Sequence, residues 1–88
     1  MTWKVEFDGK AAQEFKKLSP PTQKLIQKYL RDKVLTSSHP RDLGKPLQYD
    51  YAGLWRYRVG KLRVICHIEE DTHIIVVLRI GLRDKIYE

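Results

Sequence analysis

The fold is decided by residues 54–68, LWRYRVGKLRVICHI. Apolar side chains recur at every second position on both sides of Gly60-Lys61, which is the period of strands that bury one face. A glycine-containing pair between two such runs is typical of the tight turn in an antiparallel hairpin. We therefore predict one strand over residues 54–59 and a second over residues 62–68, with the arginines facing away from the core.

The flanking segments predict two more strands and two helices. Trp3, Val5 and Phe7 alternate with charged residues and predict a first strand, and the almost unbroken apolar run over residues 73–80 predicts a central one. Asp8-Gly9 marks the start of a short amphipathic helix.

A second helix is predicted from Pro20 to Leu35. Ser19 is placed to cap it, and proline is tolerated in the first turn of a helix. Its apolar positions fall on one stripe. They are Leu25, Ile26, Tyr29, Leu30 and Val34. Residues 37–53 follow no period and predict a loop long enough to suggest a function.

These elements predict a single α+β domain over residues 1–88. The order β-α-α-β-β-β corresponds to two layers, with an N-terminal helical hairpin packed on one face of a twisted, mostly antiparallel four-stranded sheet. The other face of the sheet is left for function.

Composition narrows the class of protein. Hydrophobic residues make up 42% and charged residues 32% of the 88 positions, which is typical of a folded domain and not of a disordered one. The sequence contains no run near the ~18 apolar residues that cross a bilayer, and its first residues do not resemble a signal peptide. We therefore expect a cytoplasmic protein without a membrane partner.

One cysteine excludes a disulfide framework and a cysteine-based metal site. Cys66 lies inside an apolar run, so we predict that it is a small core residue. We expect neither a metal nor a cofactor.

The charge indicates a nucleic-acid partner. Seventeen Lys and Arg against eleven Asp and Glu give a formal net charge of +6. Residues 1–40 contain mostly lysine, whereas residues 41–88 contain six arginines. Because the planar guanidinium binds phosphate through two parallel hydrogen bonds, this distribution points to an anion site in the second half of the chain.

Five side chains are expected to converge on the helix-free face of the sheet. Arg56 and Arg58 project to the side opposite the aromatic residues of their strand, and Arg63 on the next strand projects with them. Arg83 and Tyr87 follow directly after the last strand. Like charges repel, and Arg56, Arg58 and Arg63 have no acidic residue next to them in the sequence, so we expect an anionic ligand. The alternative is that the arginines only solvate an outer face.

The ordered stretches of this chain resemble the RelE/ParE toxins of bacterial and archaeal toxin–antitoxin pairs, particularly the RelE branch. The similar stretches are AAQEFKKL at 11–18, GKPL at 44–47, GLWRYRVG at 53–60, RVI at 63–65 and GLRDKIY at 81–87. The sequence departs from many relatives at Leu82, where they carry histidine, and at Gln48, where they carry lysine. Without that histidine, Arg58 becomes a candidate general acid.

The resemblance implies a metal-independent, ribosome-dependent endoribonuclease that cuts messenger RNA in the decoding site. The 2'-hydroxyl attacks the adjacent phosphate, which requires a base, an acid and stabilisation of negative charge. By resemblance, Arg56 and Arg58 bind phosphate and lower the pKa of the base, Arg63 and Arg83 stabilise the transition state, and Tyr87 is the general base. Further RNA contacts are predicted at Arg41, Lys45, Lys61, Arg79 and Lys85.

The resemblance also implies partners. A RelB-like antitoxin with an acidic or amphipathic segment would fold onto the cationic surface. The ribosome and its messenger RNA are the other partners, and operator DNA is reached only through the antitoxin complex.

Four alternatives stay open. A ParE-type chain would inhibit DNA gyrase, and a catalytically weak toxin would act mainly as a corepressor with its antitoxin. His67 and His73 flank one turn and suggest a histidine ribonuclease. A metal nuclease would need the acids at Glu69-Glu70-Asp71.

Overall fold

A computed structural model of the protein describes residues 3–86. The strands are β1 (Lys4–Phe7), β2 (Lys45–Pro46), β3 (Trp55–Val59), β4 (Leu62–Glu69) and β5 (Ile74–Leu82), and the helices are α1 (Gly9–Lys16), α2 (Pro20–Tyr29) and α3 (Arg83–Ile86). The strands form one sheet in the order β1-β5-β4-β3-β2, with β1 parallel to β5 and the other described pairings antiparallel. The predicted α+β class is confirmed.

Both predicted helix starts are capped by side chains. The Asp8 carboxylate accepts a hydrogen bond from the Ala11 amide at 2.9 Å, and the Ser19 hydroxyl accepts one from the Thr22 amide at 3.4 Å. A π-helical turn over Leu30–Val34 extends α2. The predicted second helix therefore spans nearly its whole expected length, with a wider hydrogen-bond pattern in its last turn.

The core lies between α1, α2 and one face of the sheet. Ile26, Leu30 and Val34 of the predicted stripe are buried, whereas Leu25 is 51% exposed. Cys66 is fully buried, as predicted. Burial raises the pKa of its thiol, so the group stays protonated and behaves as an apolar core residue.

The prediction of four strands was wrong, because β2 adds a fifth at the edge of the sheet. Its two residues are placed by contacts from β3 and not by a local pattern. The Trp55 indole donates to the Leu43 carbonyl at 2.6 Å, and the Tyr57 hydroxyl donates to the Pro40 carbonyl at 2.8 Å. Gly44 permits this close approach, since it has a φ of +71° and an added Cβ would collide with the Arg56 carbonyl oxygen.

The tail after β5 forms the single helical turn α3 and packs on the sheet face opposite α1 and α2. Ile86 is 2% exposed. It lies over Gly81, where an added Cβ would be 3.8 Å from the Ile86 Cβ. That face is thus partly covered, although the sequence predicts it to be free of helices. Among residues 3–86, no helix is long and apolar enough to cross a membrane.

Candidate active site on the arginine face

The sheet face opposite α1 and α2 carries two neighbouring rows of side chains, which we call the arginine face. One row contains Lys45, Arg56, Ile65 and Arg79, and the next contains Arg58, Arg63 and Gly81. Residues directly paired across antiparallel strands project to the same side. The register therefore brings Arg56, Arg58 and Arg63 to one face, as the alternation predicts, while their catalytic roles stay predictions.

Arg58 and Arg63 are direct cross-strand partners. Like charges in this arrangement destabilise a sheet. Arg63, at 8% exposure, is the one buried charged residue among residues 3–86, whereas Arg58 is exposed. Within the same residues, neither Arg56 nor Arg58 forms an ion pair with a carboxylate. A bound anion would complement the charges of Arg56 and Arg58.

A cleft of about 220 Å³ opens beside these arginines at the edge of β3. It is lined by Tyr29, Gly44, Lys45, Arg56 and Arg58. Burial raises the pKa of the Tyr29 phenol, so the group remains neutral and can donate a hydrogen bond. Sequence reasoning assigned Tyr29 only to the apolar stripe of α2 and missed its position beside the cleft.

Arg79 shares a row with Arg56 but is engaged within the protein. Its guanidinium binds both carboxylate oxygens of Glu14 at 3.1 to 3.2 Å and donates to the Ile86 carbonyl at 3.3 Å. The same carboxylate accepts from the Ile80 amide at 2.9 Å. Arg79 therefore ties α1, β5 and α3 together, and its predicted RNA contact stays a prediction.

Arg41 is engaged in a similar way at the other end of the sheet. It pairs with Glu70, donates to the Ile68 carbonyl at 3.4 Å and lies 5.7 Å from the ring centre of Trp55. These contacts hold the long loop against β3 and β4. The predicted RNA contact of Arg41 likewise stays a prediction.

Lys61, Arg83 and Lys85, three more predicted site residues, lie at the β3–β4 turn or on α3. Lys61 occupies that turn, and Arg83 begins α3 directly after Leu82, which pairs with Leu62. Lys61 and Arg83 are therefore at the end of the sheet that carries the Arg58–Arg63 pair. Lys85 is exposed on α3. Tyr87, the predicted general base, lies outside the described residues.

The rival sites have little geometric support. His67 Nε2 lies 3.6 Å from a Glu69 carboxylate oxygen, while the His73 ring packs edge-on against Trp3 at 4.8 Å. The two imidazoles thus have separate neighbours. Over the described range 3–86, no group of three or more His, Cys, Asp or Glu side chains is arranged to hold a metal ion.

The sequence matches known toxins over nearly its full length. The family model described as "ParE toxin of type II toxin-antitoxin system, parDE" matches residues 5–87. The chain is 29% identical over 87 residues to Toxin RelG of Mycobacterium tuberculosis (strain ATCC 25618 / H37Rv), and the match covers 99% of this chain and 98% of that protein.

Solved structures show the same fold. The crystal structure of the toxin-antitoxin complex RelBE2 from Mycobacterium tuberculosis contains a chain with a TM-score of 0.83 and 25% identity, covering 94% of this chain and 100% of that chain. The isolated E. coli RelE toxin has a TM-score of 0.71 at 15% identity, covering 91% of this chain and 83% of that one, and this likeness concerns the fold alone. A chain of the archaeal RelE-RelB complex from Pyrococcus horikoshii OT3 has a TM-score of 0.71 at 21% identity, covering 97% of this chain and 99% of that one. This likeness also concerns the fold alone.

Proposed function

The chain belongs to the RelE/ParE superfamily of type II toxin–antitoxin toxins, and from that premise we propose that it is a ribosome-dependent endoribonuclease that cuts messenger RNA in the decoding site. The observation that carries the proposal is the Arg58–Arg63 cross-strand pair, with Arg56 in the adjacent row. Arg56 and Arg58 have no carboxylate partner within residues 3–86. Guanidinium groups so placed suit the negatively charged oxygens of a phosphodiester.

The proposed reaction is an internal transfer at phosphorus. The 2'-oxygen forms a bond to phosphorus and the bond to the 5'-oxygen breaks, which leaves a cyclic phosphate and a 5'-hydroxyl. Tyr87 takes the proton of the 2'-hydroxyl. This step needs the phenolate, which cations close to a phenol favour. Arg56, Arg58, Arg63 and Arg83 offset the charge that grows on the phosphoryl oxygens.

The leaving oxygen requires a donor, and Leu82 stands where many relatives have histidine. Arg58 is the exposed member of the cross-strand pair and is our candidate for this position. A guanidinium does not give up its proton near neutral pH. Arg58 therefore stabilises the leaving oxygen by a hydrogen bond, and water supplies the proton.

The proposed inhibitor is a RelB-like antitoxin with an acidic segment that covers the arginine face. Relatives of this fold have been solved as RelBE2 and RelE-RelB complexes. A cation cluster attracts such a segment over several ångströms, which favours fast association. Operator DNA would be contacted through the complex, and the free toxin would act in the cytoplasm, where ribosomes translate.

Primer extension on messenger RNA during induced expression tests the function. Wild-type protein should produce cuts inside translated codons, and Arg83→Ala and Tyr87→Phe should abolish them. Lys10→Ala, an exposed cation on α1, is the matched control and should cut like the wild type. Intact messages in cells arrested by the wild-type protein would refute the ribonuclease proposal.

A second candidate is ParE-type inhibition of DNA gyrase, which the matching family model favours. A supercoiling assay with purified gyrase separates the two functions. If the wild type inhibits gyrase and makes no cuts in translated messages, the protein is a gyrase inhibitor and not a ribonuclease.

A further inference from the structure

Tyr49 combines two properties that do not serve folding. Tyr49 is 91% exposed, and its backbone has a φ of 58°. The left-handed region is unfavourable for a residue with a Cβ and is the usual place for glycine. An exposed ring returns almost no burial energy for this cost. Strain kept at an exposed aromatic residue points to a contact with another molecule.

Backbone hydrogen bonds hold the turn around Tyr49. Residues 47–54 close the β2–β3 hairpin, with hydrogen bonds from the Leu47 amide to the Leu54 carbonyl at 3.0 Å and from the Ala52 amide to the Tyr49 carbonyl at 3.0 Å. Further bonds join Tyr51 to Gln48 and Leu54 to Tyr51. The ring is therefore presented at the tip of a fixed hairpin.

The same hairpin carries part of the arginine face. Lys45 of β2 pairs with Arg56 of β3, and both strands lead directly to the tip. At about 3.3 Å per strand residue, Arg56 is roughly 10 Å from the tip. A ring at this distance can reach the base of a nucleotide close to a phosphate bound at the arginines.

The surroundings of the ring favour a base over a phosphate or a protein. Asp50 lies next to Tyr49 and would repel a phosphate. Gln48, Ala52 and Gly53 are exposed and polar or small, and Tyr51, at 36% exposure, is the other large hydrophobic side chain exposed on residues 47–54. Two rings without an aliphatic surround are less than a protein-binding hot spot requires. Unpaired RNA bases, in contrast, stack on single exposed aromatic rings.

We propose that Tyr49 is a stacking platform for an unpaired RNA base near the phosphate held by Arg56 and Arg58. The inference rests on the proposed function, because it takes RNA as the ligand of the arginine face. It assigns Tyr49 to RNA positioning and gives it no part in bond making or breaking.

The test compares Tyr49→Gly, Tyr49→Phe and the wild type. Glycine removes the ring and relieves the left-handed backbone, so Tyr49→Gly should raise Tm by a few degrees while weakening RNA binding about tenfold. Tyr49→Phe keeps the stacking face and should bind like the wild type. Gln48→Ala, in the same turn, is the control for general disturbance of the tip and should leave binding unchanged.

Two readouts separate this inference from the proposed function. The first is the affinity for a single-stranded oligoribonucleotide with 2'-deoxyribose at its cleavage position, and the second is the cleavage rate on ribosomes programmed with messenger RNA. Wild-type protein that binds RNA without cutting it, and loses about tenfold affinity in Tyr49→Gly, would support the stacking contact and refute the ribonuclease. If Tyr49→Gly and the wild type bind RNA with equal affinity, the stacking contact is refuted. The same conclusion holds if Tyr49→Gly binds the antitoxin more weakly but binds RNA like the wild type.

Discussion

Arg79 and Arg56 lie in one row across the sheet, yet their side chains have different surroundings. Arg79 binds both oxygens of Glu14 and the Ile86 carbonyl. Arg56 has no carboxylate partner within residues 3–86 and lines an open cleft. Arg41 resembles Arg79, since Glu70 and the Trp55 ring hold it.

Arginine therefore has two roles in this protein: some arginines hold the fold together, and others are available to bind a ligand. The paired arginines join segments that are distant in sequence, and Glu14 is 65 positions from Arg79. Within the described range 3–86, the arginines of β3 form no such link, and Arg58 faces another arginine across the strands. Charge alone therefore does not identify a binding residue, whereas the absence of a carboxylate partner within residues 3–86 separates the two groups.

The largest expected effect comes from removing an arginine of β3. Arg58→Ala should slow messenger RNA cleavage by about 10²–10³-fold, the usual loss when one donor to a developing negative charge is removed. Single-turnover cleavage on programmed ribosomes measures it. Arg31→Ala, an exposed arginine that pairs with Asp32, is the matched control with a carboxylate partner and should cut like the wild type. Equal losses in the two variants would erase the distinction between the groups.

Gly44→Ala should disrupt the packing of the loop before β2 against β3, the strand that carries Arg56 and Arg58. An added Cβ would meet the Arg56 carbonyl oxygen and lie 2.8 Å from Trp55 Nε1, at a φ of +71°. We expect a loss of about 3 kcal/mol in the free energy of unfolding, from strain and overpacking together. Urea denaturation measures it.

Gly53→Ala is the control for Gly44, because Gly53 has a φ of +93° and a Cβ added there would meet nothing within 4 Å. It carries the backbone strain without the collision, so the expected loss is about 1 kcal/mol. Equal losses at the two glycines would show that close packing against β3 is unimportant.

Glu14→Gln should weaken the paired group without touching the β3 arginines. It leaves the partly buried Arg79 guanidinium without its counter-charge, and we expect a loss of about 2 kcal/mol in unfolding free energy. Asp32→Asn removes the exposed partner of Arg31 and should leave the midpoint of urea denaturation unchanged. Similar shifts in both variants would contradict a special role for the Glu14–Arg79 pair.

Tyr57→Phe should cost less stability than Gly44→Ala or Glu14→Gln. It removes the buried hydrogen bond to the Pro40 carbonyl, at a cost of about 1 kcal/mol measured by thermal or urea unfolding. Because the Tyr57 hydroxyl anchors the loop and makes no proposed contact with RNA, cleavage should change little. A loss of cleavage as large as that of Arg58→Ala would contradict this assignment.

The same residue predicts a dependence of stability on alkaline pH. Burial raises the pKa of the Tyr57 phenol, so the unfolded chain loses this proton first. The associated stability is complete below the ordinary tyrosine pKa of about 10 and is lost as the pH rises above it. Tyr57→Phe should flatten the fall in unfolding free energy above about pH 10, and an unchanged slope would contradict the assignment.

Much of the sheet could be predicted from local alternation, whereas the edges of the fold could not. The β3–β4 hairpin follows from period-two burial around Gly60-Lys61, and the register then fixes the face of Arg58 and Arg63. Strand β2 has only two residues and is placed by hydrogen bonds from Trp55 and Tyr57. A two-residue strand carries no period from which it could be recognised.

The candidate site divides in the same way. The alternation predicts the shared face of the β3 and β4 arginines, but the pairing of Arg79 with Glu14 depends on tertiary structure. Tyr29 fits the apolar stripe of α2, so the sequence pattern gave no sign that it also lines the cleft. Tyr49 lies in a segment without a period, and its exposure and left-handed backbone are visible only in the structure.

A double-mutant cycle between Arg58 and the scissile phosphate tests the central claim most directly. Binding to programmed ribosomes is measured for wild type and Arg58→Ala, with messenger RNA that carries 2'-deoxyribose and either a natural phosphate or a neutral methylphosphonate at the cleavage position. We predict a coupling energy of about 1.5–3 kcal/mol, because the substitution should matter only when the phosphate is charged. Additive losses, with no coupling, would contradict a contact between the β3 arginines and the phosphate that is cut.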